Sequence, residues 1–292
     1  MKYIEKHPMI MIVIGIMGIS MSAILVRYSN APSAVTAAWR LCWTVLLQTP
    51  VVFGRMQFRR ELTGVDKKTA LLSAVSGIFL ALHFFFWFES LRHTTVASST
   101  IIVCTEVIWV SLGFCLFLKG MLSVQAVAAI AVAFGGSVLI ALADSGMGGS
   151  HLYGDFLSLL AAVTVAVYML IGRVVRAGVS TTVYTYMVYS ACAAVLLLMC
   201  LVQGQSLVAY GFNAVIIGLL LALFSTILGH SIFSWCLKYF SPSFVSASKL
   251  CEPVVSATLA AFLFGEIPGA LQLAGGVLIL GSVFYYARLE DK

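Results

Sequence analysis

The sequence predicts an all-α integral membrane protein: ten transmembrane helices, folded as two five-helix repeats of inverted topology, with both termini in the cytoplasm. Three observations lead there. The composition is too apolar for water, ten apolar runs of spanning length follow one another, and the two halves are weakly similar to each other.

Of the 292 residues, 61% are hydrophobic and only 10% charged, and the mean hydropathy is +1.05. Soluble domains carry about a quarter charged residues, and a soluble chain this apolar would expose large greasy patches. The composition therefore excludes a soluble enzyme, a disordered chain, a secreted disulfide scaffold and a nucleic-acid-binding domain. The net charge of +6 belongs to residues at the ends of apolar runs, not to one basic face.

A spanning helix needs roughly 20 mostly apolar residues. Such runs lie at 8–26, 34–54, 68–88, 95–118, 123–143, 154–174, 180–202, 211–236, 243–264 and 269–287. The first run lacks a small-residue cleavage site and is followed by Arg27, so it reads as a retained span. The connections at Glu89–Thr95 and Lys238–Pro242 are short, which makes their flanking spans tight antiparallel hairpins. Orientation follows from Lys and Arg in the short loops. One side holds 13 of the 17 basic residues, among them Lys2, Arg59, Arg60, Lys119, Arg173, Arg176 and Lys292. The other holds only Arg27 and Arg92. The richer side is the cytoplasm, and the membrane is the cytoplasmic membrane.

The remaining two basic residues, Arg40 and Lys249, fall inside spans, as do Glu106 and Glu252. A charge at mid-membrane costs at least about 2.5–3.5 kcal/mol, so each needs a partner or a watery cavity. Lys249 and Glu252 stand three apart on one helical face, extended by Ser246 and Ser256 and followed by Pro253. They read either as a self-neutralised structural pair or as a binding or coupling site. Arg40 reads either as cavity-facing or as snorkelling to the outer leaflet. His83 and Trp87 share a face of the third span, and His230 and Ser234 a face of the eighth. Trp39, Trp43, Trp109, Tyr168, Tyr186 and Tyr189 are candidates for an aromatic pocket, with interface anchoring as the alternative. Glu89 and Arg92 read as a surface pair, and Asp144, Asp155 and Glu266 as solvated loop residues. Gly135-Gly136, Gly275-Gly276 and Gly281 would permit close helix approach.

The seven cysteines all lie within apolar runs and form no metal-ligand spacing, so they read as packing residues. There is no Walker A sequence, no HExxH, no GxSxG and no loop large enough to fold as a domain. No nucleotide, metal or organic cofactor and no enzymatic activity is implied.

Two stretches about 147 residues apart resemble each other. His83 answers to His230, Trp87 to Trp235, Leu91 to Leu237, Arg92 to Lys238, Glu106 to Glu252 and Gln125 to Gln272. The halves are residues 1–150 and 151–292. Five spans is an odd number, so the second half enters the membrane from the opposite side. Secondary transporters use that arrangement to make two states from one fold.

Three stretches carry a family resemblance. SAILVRYSNAPSAVTAAWR resembles the first hairpin of the ten-helix EamA-type family of the drug/metabolite transporter superfamily, with Pro32 and Arg40 at its proline and arginine. HFFFWFESLRHTTVASS resembles its third-to-fourth span junction, and LCEPVVSATLAAFLFGEIPGALQLAGGVLILG its closing signature. The resemblance implies ten helices around a central cavity, alternating access, and export of amino acids or other small metabolites. The chain departs from the pattern in three places: Val107 follows Glu106 where a proline is usual, Lys119-Gly120 replaces the first-half Gly-Glu, and Lys249 is not a general feature.

The expected function is thus secondary transport of a small, amino-acid-like metabolite out of the cytoplasm, with protons as a candidate coupling ion. Arg40 or Lys249 would receive a carboxylate, and Glu106 or Glu252 an ammonium. Export of lipophilic cations is the alternative, and a membrane-embedded enzyme or sensor a remote one. Partners are the substrate and the lipid bilayer, without nucleic acid; monomer and homodimer both stay open.

Overall fold

The architecture was obtained as a computed structural model. It describes residues 8–94, 99, 102–144, 152–252, 254, 255, 258 and 269–290. Among the described residues every regular element is helical. We label them α1 (Pro8–Arg27), α2 (Ser33–Gly54), α3 (Met56–Thr63), α4 (Lys67–His93), α5 (Glu106–Leu118), α6 (Val124–Asp144), α7 (Leu152–Val175) and α8 (Thr181–Val202). Then follow α9 (Gly211–Cys236), α10 (Pro242–Ser248) and α11 (Ala270–Glu290).

Five of these, α1, α4, α7, α8 and α9, are long and apolar enough to cross a membrane. Shorter apolar helices run over Ile102–Leu118, Val124–Gly136 and Leu273–Leu289. The fourth and ninth runs read from the sequence lie partly outside the described residues, as do Pro253, Ser256, Glu266, Lys2 and Lys292 and the side chains of Asp144 and Gln272.

The boundaries have local causes. Asp66 starts α4 by accepting from the backbone N–H groups of Lys68 (3.0 Å) and Thr69 (3.1 Å). Hydrogen bonding from Thr69 holds this exposed carboxyl below its ordinary range. Ser180 starts α8 by accepting from Val183 N–H, and its own N–H donates to Glu61 on α3. The helix α3, not expected from the sequence, therefore ties the α2–α4 connection to the head of α8. At the end of α5, Lys119 adopts the left-handed conformation with φ 52°, a position where glycine is usual.

Two elements depart from plain α-helix. Within α9 the segment Leu221–His230 is π-helical, and after α10 the chain tightens to 3-10 over Lys249–Cys251. Neither has a sequence signature of the capping or periodicity kind, and both stretches contribute to the site described below.

Packing follows a regular scheme. The helix α4 lies against α7, α8 and α2; α1 and α2 lie against α9; α2 lies against α8, and α6 against α11. Two close approaches fix it. A Cβ on Gly77 of α4 would stand 2.5 Å from the Val188 carbonyl oxygen of α8, and one on Gly218 of α9 would stand 2.5 Å from Cβ of Trp39 on α2. In the α6–α11 pair, Gly136 meets the backbone of Gly275, whereas Gly135 and Gly281 face open space and bring no helix closer. Buried Leu41, Leu80, Phe84, Phe88, Val188, Leu196 and Leu221 form the core around this scheme.

Candidate functional site

A cavity with ≈ 540 Å³ of empty space, part of it continuous with the outside, opens where α1, α2, α4, α9 and the 3-10 turn meet the start of α5. Arg40, His83, Trp87, Glu106, His230, Lys249 and Glu252 all line it. Apart from the His83/Trp87 and Lys249/Glu252 neighbours these residues are far apart in sequence, and the packing scheme brings them together.

Arg40 is fully buried, not snorkelling. Its Nε donates to Thr226 Oγ1 (2.7 Å) and its Nη1 to Ser22 Oγ (3.3 Å). The guanidinium also lies 4.1 Å from the centre of the Phe84 ring. Nη2 has no partner among the described residues, and neither has Trp87 Nε1 nor Ser225 Oγ, both on the cavity wall. A buried donor left unpaired costs about 1–3 kcal/mol, so this wall is poised for an acceptor.

The acids and the lysine are arranged differently from the sequence expectation. Lys249 Nζ pairs with Glu106 Oε1 at 2.9 Å, not with Glu252 three residues on. The same Glu106 oxygen accepts from Ser246 Oγ (3.0 Å). Lys249 Nζ further touches Met169 Sδ (3.4 Å) and lies 5.6 Å from the Phe233 ring centre. The correction has a structural cause: the 3-10 turn begins at Lys249 itself, and the lysine reaches across to α5 for a carboxylate already oriented by a hydroxyl. Glu106, which has no lysine within a helical turn of it in the sequence, has one in space. Glu252 is left without an ion pair or hydrogen bond among the described residues.

Between these charges sit two imidazoles. His83 Nδ1 faces the Ala161 carbonyl at 2.9 Å, so that nitrogen carries a proton. Its ring stacks on Trp87 (6.2 Å, 11°) and meets His230 edge-on (6.3 Å). Phe84 and Tyr168 flank His230, and Tyr168 is itself anchored to Ser234 (2.7 Å).

Three expected site residues are not brought to the cavity. Trp109 is 37% exposed on the outer surface of α5. Tyr186 packs on Phe53 and reaches Thr49 (3.3 Å). Tyr189 is buried in the core and bonds Ser231 (3.0 Å). Trp39 and Trp43 donate to the Leu207 and Val215 carbonyls, clamping α2 to α9 and its approach. Glu89 pairs with His93 (3.0 Å) rather than with Arg92, and Asp155 accepts from Thr94 (2.7 Å). Among the described residues no three His, Cys, Asp or Glu side chains cluster as metal ligands.

Residues 152–288 match the family model described as EamA-like transporter family. Over those residues the chain is an EamA-type transporter unit of the drug/metabolite transporter superfamily. A solved structure titled only "Crystal structure of protein" shares the fold, with a TM-score of 0.80 over 98% of this chain and 99% of that one, at 16% identity. No curated protein matches the sequence. The protein is thus a multi-pass membrane transporter.

Two further features of the transporter frame the cavity. Arg27 and Arg92, the only loop arginines on the side read as external, line one recess together with Ser29, Asn30 and Thr36. Asn30 and Tyr28 are tied to Asn213 at the head of α9. At the opposite end, Arg173 donates to the Leu237 and Phe240 carbonyls, and Arg176 to those of Ser234 and Val179. The Ser234, Leu237 and Phe240 carbonyls lie at and just beyond the C-terminal end of α9, and that of Val179 in the α7–α8 connection.

The sequence reading missed Ser22, Ser225 and Thr226. Hydroxyl residues are common in membrane helices, where they bond the carbonyl one turn back, as Ser20 does to Ile16 and Thr44 to Arg40. Nothing in their identity or spacing tells Ser225 apart from these.

Proposed function

We propose that this transporter carries a small zwitterionic, amino-acid-like metabolite out of the cytoplasm, across the cytoplasmic membrane, by alternating access at the central cavity. One observation carries the reading: Arg40 and Glu252, opposite charges that no ion pair joins to each other or to any other described residue, line the same cavity. A zwitterion matches that arrangement end for end. The neighbouring rings of Phe84 and Trp87 suit an apolar side chain. A lipophilic cation fits less well, because the buried guanidinium would repel it.

The pattern of helix contacts supports two inverted repeats, residues 1–150 and 151–292, making ten spans with both termini in the cytoplasm. The contact of α1 with α9 has its counterpart in that of α7 with α4, and the contact of α2 with α9 in that of α8 with α4. The α2–α8 and α6–α11 contacts map onto themselves. Exchange of roles between halves is what alternating access requires. Glu252, with no ion partner among the described residues, is the candidate for proton coupling.

Counterflow in proteoliposomes against a library of amino acids, plain amines and plain carboxylic acids tests the reading. Exchange of at least one amino acid, abolished by Glu252→Gln, is the expected result. Movement of lipophilic amines alone, or of nothing in the library, would refute it.

A further inference from the structure

We infer that Arg40, Trp87 and Ser225 form a carboxylate subsite, so that the cargo must present a free carboxylate and is held in one orientation, its ammonium toward Glu252. The inference rests on the transport reading only for the word cargo; the subsite itself stands on geometry.

Arg40 and Ser225 are fully buried and Trp87 is 8% exposed. Each keeps a polar atom without a partner, and all three line one cavity. Buried hydroxyls are left idle elsewhere too, at Ser111 and Ser243, but the stronger N–H donors are not: the indoles of Trp39 and Trp43 both reach carbonyls, and the other two guanidinium nitrogens of Arg40 reach hydroxyls. The donor set also selects a chemistry. Nη2 offers two N–H groups, the indole one and the hydroxyl one, against the roughly four lone-pair sites of a carboxylate. The two bonds to Thr226 and Ser22, with the Phe84 ring on its face, fix the guanidinium plane, so the group needs no further ordering on binding.

A dianionic phosphate is disfavoured by the same inventory. One guanidinium supplies the charge on this wall, the other cation, Lys249, is engaged by Glu106, and Glu252 adds a negative charge to the same space. A plain carboxylic acid would satisfy the wall but leave Glu252 unanswered, whereas an α-amino acid answers both.

The test uses binding, which separates the subsite from transport. Isothermal titration on the purified full-length protein is run with the standard α-amino acids, then with the methyl ester, the decarboxylated amine and the deaminated acid of the tightest binder. We expect the ester and the amine to bind at least about tenfold more weakly than the amino acid, since each loses the acceptor that satisfies the buried donors. Ser225→Ala should weaken amino-acid binding several-fold and leave amine binding unchanged, and Trp87→Phe should weaken amino-acid binding several-fold more than amine binding. Arg40→Lys should erase the difference between acid and ester; if that variant fails to fold, the two milder ones decide. Ester or amine binding equal to that of the amino acid, wild-type affinity in both mild variants, or no binding by any standard amino acid would overturn the inference. Preference for the deaminated acid over the amino acid would overturn the role of Glu252. Binding without flux would refute transport and leave the subsite standing, and flux of an amine lacking a carboxylate would do the reverse.

Discussion

Lys249 and Glu106 illustrate how a buried charge decides stability one residue at a time. Each is at most 9% exposed, and each has the other as its ionic partner. Removing one side chain strands the other in a low-dielectric interior, a change that costs about 3–5 kcal/mol. Lys249→Met should therefore lower the thermal midpoint sharply in detergent, and adding Glu106→Gln should restore most of the loss. Equal melting of the single and double variants would refute the pairing. Glu252 has no such partner among the described residues, so Glu252→Gln should melt like the wild type while amino-acid exchange is lost; a large drop in its midpoint would show a structural role instead. Of this chemistry, the residue types were legible: a charge inside an apolar run is conspicuous. The partners were not. Spacing of three on a helix joins Lys249 to Glu252, and only the tertiary fold places Glu106 nearer.

Helices show the same division between what pattern reveals and what packing adds. Hydropathy located α1, α2, α4 and α6 to α9 to within a few residues, because burial in lipid demands unbroken apolar length. It did not reveal α3, which is too short and polar, nor the π-helical Leu221–His230, which has the composition of any membrane helix. That segment supplies Ser225 and His230 to the cavity wall and Thr226 to Arg40, and the other irregular stretch, the 3-10 turn, supplies Lys249 and Leu250. At the tight crossings, Gly77→Ala would drive a methyl group against the Val188 carbonyl. We expect about 1–3 kcal/mol of destabilisation, the usual cost of overpacking, read as a lower midpoint; Gly135→Ala, facing open space, serves as the neutral control. Lys119→Gly should raise the midpoint, because a side chain in the left-handed region costs about 1–2 kcal/mol that glycine does not bear. At the head of α4, the lowered Asp66 carboxyl contributes stability that is present above the ordinary carboxylate range and lost only as pH falls through its depressed native value. Asp66→Ala should remove that acid-dependent contribution.

Across the whole molecule, His83, Glu106, His230 and Glu252, which the weak sequence repeat sets in correspondence, all line one cavity. What the repeat could not foretell is how unequally the halves contribute. Lysine comes only from the second half, and the buried arginine from the first. The proposed topology puts the Arg59–Arg60 connection and both termini on one side. Single-cysteine labelling at residues 2, 60 and 292 in intact cells should give a common accessibility, with residue 148 opposite; termini on opposite sides would end the inverted-repeat proposal.

One property of that cavity has an electrical meaning. Its wall carries two cations, Arg40 and Lys249, and two carboxylates, Glu106 and Glu252. Moving a net unit charge through the membrane field is worth about 2.3 kcal/mol per 100 mV. A balanced wall moves none, whether it turns over empty or holding a zwitterion. With Glu252 ionised throughout the cycle, the resting potential of a cell neither pulls the cargo back nor pushes it out. A proton carried on Glu252 unbalances the wall by one charge, so the proposed coupling would be felt as a dependence of flux on membrane voltage.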